Sequence, residues 1–188
     1  MYIAVQILTV VRIPLAILFA FVLLNSQKST TTLCFCAVLL VIGEMTDLFD
    51  GILARRSKTV SEWGAMLDPY ADSISRLIVY WTLAVASLAS PIVPLTMAFR
   101  DVTVAYSRIV LTRYGVSVAA KWSGKIKAGF QGIGAYVILM GPVYWQWTGE
   151  WTIPVFSWII ILVTLGSMVE YIKASFKAVQ KSKLNRLG

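Results

Sequence analysis

The chain has 188 residues, 58% of them hydrophobic and 14% charged, with a mean hydropathy of +0.75 and a formal net charge of +8. Soluble domains hold about 45–50% apolar and about 25% charged residues, so this composition excludes an ordinary water-soluble globule and points to a bilayer. There is no histidine, so any proton chemistry falls to carboxylates, lysine, tyrosine or water.

Six apolar stretches follow in chain order, at 3–24, 33–52, 69–90, 93–112, 126–146 and 153–172. A bilayer offers the backbone no hydrogen-bond partners, so each run is predicted to be a helix. The first is too long for a signal peptide and shows no small-residue cleavage site, so it is expected to remain as a helix. The second contains Cys34 and Cys36, two apart and on different helical faces, which reads as packing rather than a disulfide. The fourth is the most interrupted, by Arg100, Asp101 and Arg108. The fold class expected is all-α: one membrane domain over 1–188, a bundle of six transmembrane helices with the active site at the cytoplasmic side. No nucleic-acid partner is expected.

With the N-terminus inside, only Lys28 of the 17 basic residues falls on the outer side. Positive residues gather on the cytoplasmic face, so both termini are expected there, in the inner cell membrane. Tyr144, Trp145, Trp147 and Trp151 read as an interfacial aromatic belt. The basic tail, about 173–188, reads as a surface helix drawn to anionic headgroups.

Four aspartates fall between positions 47 and 72, where the second stretch leaves the membrane and the third enters. Asp47 and Asp50 are three apart, Asp68 and Asp72 four apart, so each pair shares a helix face. Carboxylates beside hydrocarbon are costly unless compensated, and two divalent ions bound through oxygen, Mg²⁺ or Mn²⁺, would compensate them. Such a metal pair clamps a phosphoryl centre. The plainer alternative is a solvated loop ion-paired to Arg55, Arg56 and Arg76. A divalent-cation transporter is a remote alternative, since intramembrane carboxylates also line ion pathways.

The segment reads Asp47-x2-Asp50-Gly51-x2-Ala54-Arg55-x8-Gly64-x3-Asp68-x3-Asp72. It resembles the signature of the CDP-alcohol phosphatidyltransferase family at all eight defining positions. The resemblance implies that Asp47, Asp50, Asp68 and Asp72 bind two divalent ions beside a CDP diphosphate, and that Asp72 is also the general base. It further implies a CDP-binding role for Thr9, Gly51, Ala54, Arg55 and Gly64, and a homodimer.

Within the family the chain is most similar to the phosphatidylglycerophosphate synthases. The similarity lies in Leu8-Thr9-Val-Val-Arg12, in Arg100-Asp101 where Arg-Glu is usual, and in Gly124-Lys125-Ile-Lys127-Ala-Gly-Phe-Gln131. Gln6, Ser73 and Ala128 depart from that pattern, and Ser73-Ile-Ser-Arg76 resembles a stretch of inositol-phosphate transferases. The implied substrates are CDP-diacylglycerol and sn-glycerol 3-phosphate, with inositol phosphate, serine or another alcohol as the alternative acceptor. Arg108, Lys125 and Lys127 are the residues expected to hold an acceptor phosphate, which cationic side chains match.

Overall fold

The computed structural model describes the backbone of residues 2–57, 62–116, 122–149 and 151–187, and the side chains of 11–46, 69–116, 124, 126–149 and 151–182. Every element among them is an α-helix: α1 (Tyr2–Asn25), α2 (Thr30–Ser57), α3 (Glu62–Val85), α4 (Ile92–Arg113), α5 (Trp122–Thr148) and α6 (Thr152–Leu187). The turns carry local signals. Ser29 caps α2 through its Oγ, which accepts from the Thr32 N–H at 3.2 Å. Past the end of α3, Ser87 adopts a left-handed φ of 60°, and the N–H groups of Leu88 and Ala89 return to the Leu83 carbonyl. Lys28, the one basic residue assigned to the outer side, donates to the Ala86 carbonyl at this same turn.

α1 packs on both α2 and α3, while α6 packs on both α4 and α5; α2–α5, α3–α4 and α3–α5 contacts join the two halves. Phe19, Leu33, Tyr80, Met97, Ile138 and Ile160 bring all six helices into one core. Large apolar side chains also point outward on every helix, among them Phe21, Val38, Trp81, Leu95, Ile133 and Leu162. Large exposed apolar surfaces of this kind mark contact with lipid or with another protein. Two helical segments among the described residues, Ile126–Thr148 and Thr152–Ser182, are long and apolar enough to cross a membrane; Val11–Asn25 and Thr30–Thr46 are shorter apolar helical stretches.

The α5–α6 seam is set by glycine. A Cβ on Gly134 would lie 2.6 Å from Ile160 Cδ1, and one on Gly141 would lie 2.8 Å from Ile153 Cδ1. Both contacts obey one antiparallel register, in which small residues let the backbones approach and isoleucines fill the space. Gly134→Ala is therefore expected to destabilise the protein by about 1–3 kcal/mol. Ile160→Val, which deletes the obstructing methyl, should recover part of that loss, as read by thermal unfolding of the single and double variants.

α6 runs 36 residues without a break. At about 1.5 Å per residue it is about 54 Å long, well beyond a hydrocarbon core of about 30 Å. The basic segment from Lys173 is thus a continuation of the apolar helix and not a separate surface helix. Lys173, Lys177 and Lys181 stand exposed along it at four-residue intervals. Ser182 Oγ donates to the Tyr114 carbonyl at 3.3 Å, tying the extension to the end of α4.

Candidate functional site

Asp47 and Asp50 fall in the C-terminal half of α2, and Asp68 and Asp72 in the N-terminal half of α3. At side-chain level Thr9, Asp47, Asp50, Gly51, Ala54, Arg55, Gly64, Asp68 and Lys125 lie outside the described residues. Asp72, Arg108 and Lys127 lie within them.

Asp72 accepts a hydrogen bond at Oδ1 from Arg76 Nε, 2.8 Å away and one turn further along α3. The same guanidinium leaves the helix: Nη1 donates to the Ala128 carbonyl of α5 at 2.7 Å, and Nη2 meets Glu44 Oε2 of α2 at 3.3 Å. Glu44 lies one turn before Asp47. The Arg76–Glu44 contact therefore joins α2 and α3 within one turn of an aspartate on each. A cavity of about 60 Å³ opens beside them, lined by Glu44, Asp72, Ser75, Arg76, Tyr80 and Gln131.

Beneath this layer the polar groups continue inward. Tyr80 donates its hydroxyl to the Gln131 carbonyl at 2.6 Å, and Gln131 Nε2 donates to Thr164 Oγ1 at 3.2 Å. Asp101 Oδ1 accepts from both Arg100 Nη1, at 2.8 Å, and Lys127 Nζ, at 3.1 Å. Arg100 Nε reaches Ser167 Oγ of α6 at 3.3 Å. These bonds pair Arg100 and Asp101, two of the three charges that interrupt the fourth apolar stretch, and α4 continues unbroken through them. Buried Lys127 is thus held by a carboxylate. Arg108, two turns further along α4, is exposed.

Among the described residues no group of three His, Cys, Asp or Glu is placed to hold a metal. The donor chemistry nonetheless suits a hard divalent ion. Nothing among the described residues engages Asp72 Oδ2, and carboxylate oxygen is what Mg²⁺ and Mn²⁺ prefer. From the sequence, Arg76 was visible only as a possible counter-ion and Glu44 only as one more acid. The four-residue step from Asp72 to Arg76 was the available signal; the reach from α3 to α2 and α5 was not.

Residues 2–169 match the family model described as CDP-alcohol phosphatidyltransferase. The chain is 31% identical over 158 residues to the CDP-diacylglycerol–glycerol-3-phosphate 3-phosphatidyltransferase of Yersinia enterocolitica, covering 76% of this chain and 79% of that protein. It is 30% identical over 170 residues to the protein of the same name from Escherichia coli, covering 88% of this chain and 89% of the relative.

Proposed function

The chain belongs to the CDP-alcohol phosphatidyltransferase family, and from that premise we propose that it makes phosphatidylglycerophosphate from CDP-diacylglycerol and sn-glycerol 3-phosphate. The observation that carries this reading is the full eight-position signature, spread over the end of α2 and the start of α3, in a chain whose relatives are named for that acceptor. The acceptor's 1-hydroxyl oxygen bonds to the β-phosphorus, the bond from that phosphorus to the α-phosphate oxygen breaks, and CMP leaves.

Asp47, Asp50, Asp68 and Asp72 would hold two divalent ions, Mg²⁺ or Mn²⁺, which when bound neutralise the diphosphate and the charge that develops on it. Asp72 takes the hydroxyl proton; with no histidine in the chain, a carboxylate is the natural base. Thr9, Gly51, Ala54 and Gly64 border the cytidine nucleotide and Arg55 contacts its phosphates. Arg108, Lys125 and Lys127 hold the acceptor phosphate, with Asp101 keeping the Lys127 ammonium oriented until that anion arrives. Positioning and electrostatics carry most of the work in phosphoryl transfer.

The chain forms one domain of six membrane-spanning helices, with the termini and the site on the cytoplasmic side, where a water-soluble acceptor is met. It acts as a homodimer. The exposed Lys173, Lys177 and Lys181 support contact between the extended end of α6 and anionic headgroups.

The test is CMP release by purified protein with CDP-diacylglycerol and Mg²⁺, against glycerol 3-phosphate, inositol 1-phosphate, inositol, serine and no acceptor. Release with glycerol 3-phosphate alone is expected. Release with another alcohol alone would keep the chemistry and discard the acceptor. Silence with all of them, joined to Mg²⁺ flux in vesicles, would replace the transferase by a cation pathway.

A further inference from the structure

We infer that Arg76 is a positioning residue for the transfer, one that fixes the orientation of the Asp72 carboxylate against two neighbouring helices; the inference rests on the proposed role of Asp72. An arginine four residues beyond an aspartate is common on helices, and on a wet surface such a pair is weak because both side chains stay mobile. Here the guanidinium is anchored elsewhere. Its side chain is only 11% exposed. Beyond Asp72 it holds a main-chain oxygen, that of Ala128 at 2.7 Å, and a helix carbonyl cannot swing as a side chain does. Glu44 Oε2 takes the remaining terminal nitrogen at 3.3 Å.

The guanidinium is planar and its donors are fixed in a fork, so three bonds to α2, α3 and α5 determine its plane. That plane in turn determines where Asp72 Oδ1 sits. With Oδ1 occupied, Oδ2 is the oxygen left to face the reacting groups. Lysine would supply a point charge without this geometry.

Small residues on α5 make the arrangement fit. A Cβ on Gly132 would stand 3.1 Å from Glu44 Oε1 and 3.2 Å from its Cδ, so Glu44 lies directly against the α5 backbone there. Gly132 is one turn beyond Ala128, whose carbonyl receives Arg76. The two positions form a shelf on which the Glu44–Arg76 pair rests, beside the cavity that Asp72 also lines.

The experiment compares wild type, Arg76→Met, Glu44→Gln and the double variant for kcat, for KM toward both substrates, and for the unfolding temperature in detergent. Arg76→Met keeps the side chain's length and removes its fork. It is expected to lower kcat by about 10- to 100-fold, as loss of an orienting partner does, while KM stays near the wild-type value. Its unfolding temperature should fall, because Glu44 and Asp72 lose their shared cation. Adding Glu44→Gln should restore part of that temperature and leave kcat low. A kcat for Arg76→Met within about twofold of wild type would overturn the inference, as would a kcat that returns with the unfolding temperature in the double variant. Wild-type protein silent with every acceptor would overturn the reading of Asp72 itself, a separate failure.

Discussion

Alanine at Asp47, Asp50 or Asp68 is expected to reduce CMP release at least about 10³-fold, equivalent to about 4 kcal/mol of barrier. The helices should remain folded. On the proposed arrangement Asp47, Asp50, Asp68 and Asp72 converge and repel one another when no cation is present, so deleting one relieves that repulsion. The unfolding temperature of the metal-free variants should therefore hold or rise. Wild-type protein should instead gain stability on adding Mg²⁺, because a ligand bound only to the folded state stabilises it. The variants should lose that gain. Chelation should silence the wild type, and Mg²⁺ or Mn²⁺ should restore it. Parallel measurements of CMP release and thermal unfolding, with and without Mg²⁺, separate loss of metal from loss of fold. Near-normal turnover by Asp50→Ala would sink the metal assignment.

Asp101→Leu is expected to be the most damaging change to the fold. One carboxylate oxygen of Asp101 serves both Arg100 at 2.8 Å and Lys127 at 3.1 Å, and the cations' side chains are only 15% and 9% exposed. Removing the shared anion leaves two buried positive charges side by side. Breaking a buried pair from one side costs about 3–5 kcal/mol, which lowers the unfolding temperature by about 10 °C in a chain of this size. Adding Lys127→Met should recover part of that loss, whereas Asp101→Glu keeps the anion and should be tolerated. An unchanged unfolding temperature for Asp101→Leu would contradict this account of the network.

Hydropathy located the six helices well because each is built around a long apolar run. The fourth stretch, expected at 93–112, is the helix Ile92–Arg113 despite the charges within it. Boundaries went astray where helix and hydrocarbon part company. α3 begins at Glu62, before the apolar run expected from 69, and α6 continues to Leu187, beyond the run expected to end at 172. Apolar content marks only the apolar part of a helix, and backbone hydrogen bonding continues past it. The family and its eight signature positions were legible because that chemistry is written in local spacing. What joins the site to its surroundings was not. Glu44 meets Arg76 across 32 residues, and Arg76 meets Ala128 across 52. The register that sets Gly134 against Ile160 exists only once α5 and α6 have packed.

The central claim is tested most directly by following labelled glycerol 3-phosphate into lipid, using purified protein, CDP-diacylglycerol and Mg²⁺. The account predicts label in the organic phase as phosphatidylglycerophosphate, in step with CMP released and dependent on both substrates and on the metal. CMP release that leaves the label in water would contradict it, as would lipid formed from a different alcohol alone.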